Sequence, residues 1–317
     1  MRFAVDTGGT FTDLVIEDPE GKLHIFKSPT TPNNPVEGIL SAFDKASKSF
    51  SISSYDLLSK GEFLLHGTTR ATNAIVTSGT AKTAFLTTLG HPDILVLREG
   101  GRIEPFNFSI PFPEPYIPRH LTFEVVERIS AQGKIITPLD KNSVLEIVNQ
   151  LKEIKIEAIG VCLLWSSVNS LHEKEVGEIL AKQMPNVPYT LSHELNPILR
   201  EYRRASSTCI DASLKPLMTE YILNLQGNLR RRGFKGRLLM LTSKGGVMDY
   251  KEIANAPIHT VGSGPAMAPI AGRFFAKIDS KSSTAIVADT GGTTYDVSLV
   301  RNSEIPMTPE TWLGDKY

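Results

Sequence analysis

Apolar positions along the chain follow two periods, and each change of period marks an element. Two β-branched or apolar runs, Phe3-Ala4-Val5 and Leu14-Val15-Ile16, flank a glycine turn, and a second such pair, Ala285-Ile286-Val287-Ala288 and Val297-Ser298-Leu299-Val300, flanks another. Each reads as strand, tight turn, strand. Leu23-His24-Ile25-Phe26, after the turn at Pro19-Glu20-Gly21, adds a third strand to the first hairpin. Helical spacing then begins near Val36, with Ile39, Leu40, Phe43 and Ala46 on one face. The pattern continues with a buried strand at Phe63-Leu64-Leu65, a helix over 69–76 and a strand over 83–88. It predicts a strand over 121–129, a helix over 140–154, a strand over 158–164 and a helix over 172–184. Strand and helix alternate between residues 60 and 190, which indicates an α/β layer. A helical stretch over 198–232 is expected to break around Lys215-Pro216, because proline lacks the amide proton that the helical ladder needs. Leu238–Leu241 reads as a strand, and Gly262-Ser263-Gly264-Pro265 opens a helix over 266–276. Prolines 105, 111, 113, 115 and 118 make 98–120 a long surface loop.

The turns of the two hairpins repeat one motif. Asp6-Thr7-Gly8-Gly9-Thr10-Phe11-Thr12-Asp13 and Asp289-Thr290-Gly291-Gly292-Thr293-Thr294-Tyr295-Asp296 share six of eight positions. A Gly-Gly pair permits positive φ and strips side chains from the turn, so backbone N–H groups can face a phosphate. Hydroxyls of Thr10, Thr12, Thr293 and Thr294 would donate to the same oxygens. The carboxylates of Asp6 and Asp289 would repel a bare phosphate, and they make sense with Mg²⁺ between carboxylate and phosphate. A lone Asp-x-Gly-Gly is as often an ordinary turn, but two copies in one chain fit a clamp that closes on a nucleotide.

Composition narrows the field. Apolar content of 41% and charged content of 21% are those of a globular protein, and 317 residues favour two domains. Formal net charge is zero, which gives no electrostatic footprint for nucleic acid or an anionic membrane. Cys162 sits in an apolar run and reads as a core thiol, and Cys209 has no paired histidine to make it a nucleophile. There is no run of about 18 apolar residues for a membrane span and no leader ahead of the first strand, so the expected location is the cytoplasm. The histidines and cysteines show no zinc spacing. Gly-x-x-x-x-Gly-Lys-Ser/Thr, a Rossmann fingerprint and a Gly-x-Ser-x-Gly elbow are all absent.

Paired acidic glycine hairpins resemble the two phosphate loops of the actin, sugar kinase and heat-shock chaperone ATPase superfamily. Within it, the chain is similar to the hydantoinase A / 5-oxoprolinase family, which includes acetone and acetophenone carboxylase subunits. The resemblance adds His66-Gly67-Thr68-Thr69-Arg70-Ala71-Thr72-Asn73-Ala74, Leu191-Ser192-His193-Glu194, Arg200-Glu201-Tyr202-Arg203-Arg204 and Gly262-Ser263-Gly264-Pro265-Ala266 to the two hairpins. It implies an α/β fold of actin-like ATPase (ribonuclease H-like) architecture, with the second lobe truncated at the C-terminus. Residues 1–190 would carry the first phosphate hairpin and 191–317 an incomplete second domain with the other. The implied chemistry is ATP-dependent activation of a carbonyl or lactam oxygen. The γ-phosphoryl would pass to an enolate, imidate or bicarbonate oxygen, followed by lactam hydrolysis or ketone carboxylation.

In that reading Asp6 and Asp289 hold Mg²⁺ and are catalytic, together with His66. Thr7, Gly8, Gly9, Thr10, Thr12, Asp13, Gly264, Gly291, Gly292, Thr293 and Thr294 bind ATP. Helix-opening Gly262-Ser263-Gly264-Pro265 would offer free N–H groups to an anion, although a plain tight connection reads nearly as well. Lys244, where the family usually has Asn, reads as an exposed loop lysine, and Arg200, Arg203 and Arg204 read as a solvated or inter-domain ion-pair network with Glu201. A hydantoinase B-type partner subunit, or further C-terminal sequence, is expected to complete the site. The rival readings are a non-catalytic structural subunit and a sugar or acetate kinase; the kinase reading leaves the His66 and Gly262 segments unexplained.

Overall fold

The structure is a computed structural model and describes residues 1–31, 34–99, 106–110, 113–290 and 295–307. The chain opens with β1 (Arg2–Thr7), β2 (Phe11–Glu17) and β3 (Leu23–Pro29), then α1 (Pro35–Ser49), α2 (Ser54–Ser59), β4 (Phe63–Thr68) and α3 (Arg70–Val76). The middle of the chain holds β5 (Thr83–Thr88), α4 (Ile94–Leu97), β6 (Thr122–Val125), β7 (Arg128–Ile129), β8 (Ile135–Thr137) and α5 (Lys141–Glu153). It continues through β9 (Ala158–Cys162), α6 (Leu171–Gln183), β10 (Tyr189–Leu191), α7 (Ser192–Leu195) and the long α8 (Glu201–Arg231). Last come β11 (Arg237–Leu241), β12 (Val247–Asp249), α9 (Tyr250–Asn255), α10 (Ser263–Asp279), β13 (Ala285–Thr290) and β14 (Tyr295–Val300).

These elements form two compact units. One comprises Met1–Thr77 and the described residues from Met218 onward, the other Ser78–Leu217. In the first unit the sheet order is β12-β11-β4-β1-β2-β3. The β1-β2-β3 meander is antiparallel, while β4 and β11 run parallel to β1. An antiparallel meander extended by parallel strands on the far side of β1 is the topology the actin-like expectation calls for. Alternation on β1 and β2 puts Phe3, Val5, Leu14 and Ile16 inside, against Ile39 and Phe43 of α1. Phe3 meets the Phe43 ring edge-on with centroids 5.2 Å apart, a favoured aromatic geometry. A two-stranded hairpin, β13-β14, packs on α10 in the same unit.

The second unit is built on an all-parallel sheet, β10-β9-β5-β6. Both faces are covered, so β5 and β9 are buried along their whole length, as parallel strands require. Polar groups buried here are tied into a network. Glu173 accepts from the backbone N–H of Leu163 at 2.8 Å, from Ser192 Oγ at 2.5 Å and from His193 Nδ1 at 2.7 Å. Arg204 donates to Ser192 Oγ at 3.1 Å and to the carbonyls of Ile198 and Leu163 at 2.8 and 2.9 Å.

Several expectations change. The helix expected to break at Lys215-Pro216 runs unbroken for 31 residues, with Pro216 inside it. One proline removes one ladder bond, and the apolar contacts on either side (Leu214 and Met218, both fully buried) hold the helix together. The strand expected over 121–129 is two short strands, β6 and β7, which belong to different sheets. Arg204 is 1% exposed rather than solvated, whereas Arg200 and Arg203 pair with Glu99 at 3.4 and 2.8 Å. Cys162 and Cys209 are buried free thiols, and burial raises the Cys162 thiol to about 12 and Cys209 well above its ordinary range. Lys244 is exposed. Of the proline-rich stretch, 100–105 and 111–112 lie outside the described residues, and the rest contains only a 3₁₀ turn at Arg119–Leu121.

Replacing Arg204 with Leu strips donors from the buried Leu163 carbonyl, from the Ile198 carbonyl and from the serine that bridges to Glu173. The expected loss is about 3–5 kcal/mol of unfolding free energy, measured by urea denaturation. Adding Glu173→Gln to that variant should cost much less than the sum of the two single changes.

Candidate functional site

Strand order creates the site. The first unit's β1, β4 and β11 run parallel, so their carboxyl ends fall on one edge of the sheet, where open α/β layers bind ligands. In register, Val5 lies beside His66, Asp6 beside Gly67 and Thr7 beside Thr68, and His66 in turn faces Met240. The first hairpin turn, the His66-Gly67-Thr68-Thr69 segment and the Thr242–Gly246 loop therefore emerge side by side.

At the turn, Gly8 N–H donates to Phe11 O at 3.0 Å, closing a short loop. Neither Gly8 nor Gly9 takes positive φ, so the conformational reason for the glycine pair is overturned. Clearance is the reason that remains. A methyl on Gly9 would meet nothing within 4 Å, which leaves the backbone open to a ligand. Gly67 makes room on the neighbouring strand, where a methyl would stand 3.0 Å from Asp6 Oδ1 and 3.1 Å from Leu241 Cδ1. Thr12 is fully buried, and its Oγ1 lies 3.0 Å from Thr30 Oγ1. Thr7 is also buried, and its hydroxyl has no hydrogen-bond partner. Thr10 keeps its place in the turn, where its carbonyl accepts from Thr30 N at 2.9 Å.

Asp6 is accessible on its outer side and hemmed in by protein on the other. Desolvation, reinforced by the charges of Asp13 and then Asp289, raises its carboxyl above the ordinary range. Asp13, its cross-strand neighbour, has a counter-ion in Lys27 at 3.2 Å. Asp6 has none among the described residues. The second hairpin repeats the geometry of the first, with Asp289 opposite Asp296 and Thr290 opposite Tyr295. Its turn residues Gly291, Gly292, Thr293 and Thr294 lie outside the described residues. The two acidic hairpins thus belong to one unit, with Asp289 close enough for its charge to act on Asp6. Among the described residues no group of three or more His, Cys, Asp or Glu side chains could hold a metal ion. The arrangement suits Mg²⁺, which takes one or two carboxylates and completes its shell with phosphate oxygens and water.

His66 is fully buried. Its Nδ1 lies 3.3 Å from Val5 O and its Nε2 lies 2.7 Å from Tyr221 Oη. A carbonyl can only accept, so Nδ1 carries the proton and Nε2 accepts from the tyrosine. Burial pulls its pKa down to about 4, and Tyr221, also buried, is pushed up to about 12. Both are neutral at pH 7. Arg70 stacks over the Tyr221 ring at 5.3 Å from the centroid. Tyr221 carries no sequence signal of its own, since the His66–Tyr221 contact spans 155 residues, whereas Arg70 lies within the His66–Ala74 segment singled out in the sequence. The far wall is the start of α10. Gly262, at φ +74°, caps it and donates to Thr72 Oγ1 of α3 at 3.0 Å. Ser263 is buried with an unpartnered hydroxyl, and Gly264 has open space where a side chain would be.

A histidine buried neutral destabilises the fold in acid, because the unfolded chain binds the proton more readily. The folded pKa of His66, about 4, lies below its ordinary 6.5. Its contribution is complete above the unfolded value and is lost as pH falls through the folded one, a total of about 3 kcal/mol. Urea midpoints of the wild type should fall between about pH 6.5 and 4 more steeply than those of His66→Gln.

Comparison with known proteins agrees with this architecture. Residues 2–184 match the hydantoinase/oxoprolinase N-terminal region, and 204–316 match the hydantoinase/oxoprolinase domain. The caprolactamase alpha subunit of Pseudomonas jessenii is 29% identical over 94% of this chain and 43% of its own length. The acetophenone carboxylase gamma subunit of Aromatoleum aromaticum is 33% identical over 95% of this chain and 42% of its own. The crystal structure of the ATP-dependent caprolactamase superposes with a TM-score of 0.85 at 28% identity, covering 94% of this chain and 43% of that one. Nucleotide-free acetone carboxylase shares the fold, with a TM-score of 0.84 at 23% identity over 96% of this chain and 44% of its own. The chain spans less than half the length of these relatives. It belongs to the hydantoinase/oxoprolinase family.

Proposed function

We propose that this chain carries the nucleotide-binding centre of an ATP-dependent enzyme that activates a carbonyl oxygen, for hydrolysis of a cyclic amide or carboxylation of a ketone. The observation that carries the reading is Asp6: a carboxylate with no cation partner among the described residues, in the field of Asp13 and Asp289, beside an open glycine turn. Mg²⁺ at Asp6 and Asp289 would offset that repulsion and neutralise phosphate charge. The N–H groups at Gly8, Gly9 and Thr10 would hold phosphate oxygens, with the Thr7 hydroxyl as a further donor. Gly291, Gly292, Thr293 and Thr294 would do the same from the second turn. The first residues of α10, Ser263 and Gly264, offer N–H groups to an anion, and the orphaned Ser263 hydroxyl supports that role. His66, neutral and turned into the core, acts by positioning Tyr221 and the strand ends. ATP would supply an activated phosphoryl group, and the chain's task is placement and charge neutralisation.

The named relatives support both outcomes, since caprolactamase opens a lactam and the carboxylases act on ketones. In the same reading a hydantoinase B-type subunit, or more of the same polypeptide, completes the enzyme. Among the described residues no helix is long and apolar enough to cross a membrane.

In the full-length enzyme, Asp6→Asn should lower Mg-ATP affinity at least about tenfold and abolish substrate-dependent phosphate release, while leaving the thermal midpoint unchanged or raised. Gly9→Ala should fold like the wild type, since its methyl meets nothing, yet bind nucleotide more weakly. Calorimetric titration and thermal melts check both; unaltered nucleotide binding in the two variants would refute the assignment.

A further inference from the structure

We propose that Arg70 binds a carboxylate carried by the substrate, so that the centre takes an anionic carbonyl compound in preference to a neutral one. The inference rests on the reading of this edge as the ATP-dependent centre.

Arg70 is the first residue of α3, two positions past Thr68, which is in register with Thr7 of the hairpin. Adjacent strands stand about 4.8 Å apart. The arginine therefore leaves the sheet one strand over from the phosphate turn, where an acceptor would lie beside a γ-phosphoryl group. Its position is fixed from below. The guanidinium rests on the ring of Tyr221, Tyr221 is held by His66, and the backbone N–H of Arg70 donates to Thr68 Oγ1 at 3.3 Å. This is a cation with little freedom to move.

It is also unmatched. Arg70 makes no ion pair among the described residues, and its Nε is buried without an acceptor. Several other arginines do pair with a carboxylate: Arg119 with Asp93 at 2.7 Å, Arg203 with Glu99 at 2.8 Å and Arg232 with Asp44 at 2.8 Å. A buried N–H left without an acceptor is costly, and the two groups beneath it, His66 and Tyr221, are neutral at pH 7. A planar guanidinium held against the Tyr221 ring is shaped for the fork of a carboxylate. Asp6, the carboxylate assigned to the metal, does not pair with Arg70. The arginine is thereby left to the acceptor rather than to the metal–phosphate side.

Two lactams that differ only in a carboxylate test this: 5-oxoproline and 2-pyrrolidinone. Each is titrated calorimetrically into the full-length protein, and Mg-ADP is titrated separately. Wild type should bind 5-oxoproline about tenfold or more tightly than 2-pyrrolidinone. Arg70→Met should erase that preference and leave Mg-ADP affinity intact, while Arg70→Lys should restore part of it. Circular dichroism confirms that each variant folds. Equal binding of the two lactams by the wild type, or binding of neither, overturns the inference. So does a variant that loses Mg-ADP and keeps the preference, which would assign Arg70 to phosphate. A wild type that discriminates between the lactams but binds no Mg-ADP would instead contradict the nucleotide reading.

Discussion

The parallel ladder between β1 and β4 sets the site. It fixes Val5 beside His66, Asp6 beside Gly67 and Thr7 beside Thr68. A slip of one residue would turn every side chain to the opposite face. Asp6 would then face the core, and His66 would leave Val5 O and Tyr221 behind. Two features pin the register. Phe3 and Val5 are core residues that cannot be exchanged for Asp6. The bare backbone of Gly67 leaves room for the Asp6 carboxylate, which a side chain there would crowd at 3.0 Å.

Electrostatics underlies the proposal that this edge takes a ligand. Asp6 lies in the field of Asp13 and Asp289 with no cation of its own among the described residues. Lys27 neutralises Asp13 alone. Repulsion among carboxylates at a rim weakens the fold unless a cation enters, and a divalent ion bridging to phosphate removes the repulsion and the phosphate's own charge together. The paired hairpins distribute that burden over two turns of the same compact unit. The polar network of the other unit shows the contrast: Glu173 and Arg204 are buried deeper than Asp6, yet each is fully engaged by donors or acceptors from the protein itself.

Much of this was legible in the chain. The alternation at Phe3–Val5 and Leu14–Ile16, and its repeat near residue 290, gave both hairpins and their facing aspartates. The wholly apolar run at 158–164 identified a buried strand, and the structure pairs β9 in parallel on both sides. Local pattern failed wherever tertiary packing decided the outcome. Pro216 reads as a break, but buried neighbours carry α8 through it. Gly8 and Gly9 read as residues that permit positive φ and clear side chains from the turn, and of these two reasons the structure keeps only clearance. Tyr221 gave no signal because its role comes from the packing of α8 against a strand far away in sequence, and Arg70, though inside the His66–Ala74 segment, gave no hint of the ring beneath it.

The distribution of unsatisfied groups ties these points together. In the unit built on β1 and β4, the described buried side-chain groups without a partner are Thr7 Oγ1, Arg70 Nε and Ser263 Oγ. Thr7 is in the first acidic hairpin, Arg70 follows the neighbouring strand, and Ser263 starts the helix whose capping glycine bonds to α3. Had these been scattered through the core they would mark poor packing, since buried donors are almost always satisfied. They instead belong to the three segments that meet at one edge, and all three can donate a hydrogen bond. An edge that presents donors and an unpaired carboxylate together suits a ligand that is anionic and brings its own cation, as a magnesium nucleotide does. An oxyanion-bearing substrate beside it would satisfy the donor on the β4 side that the nucleotide leaves over.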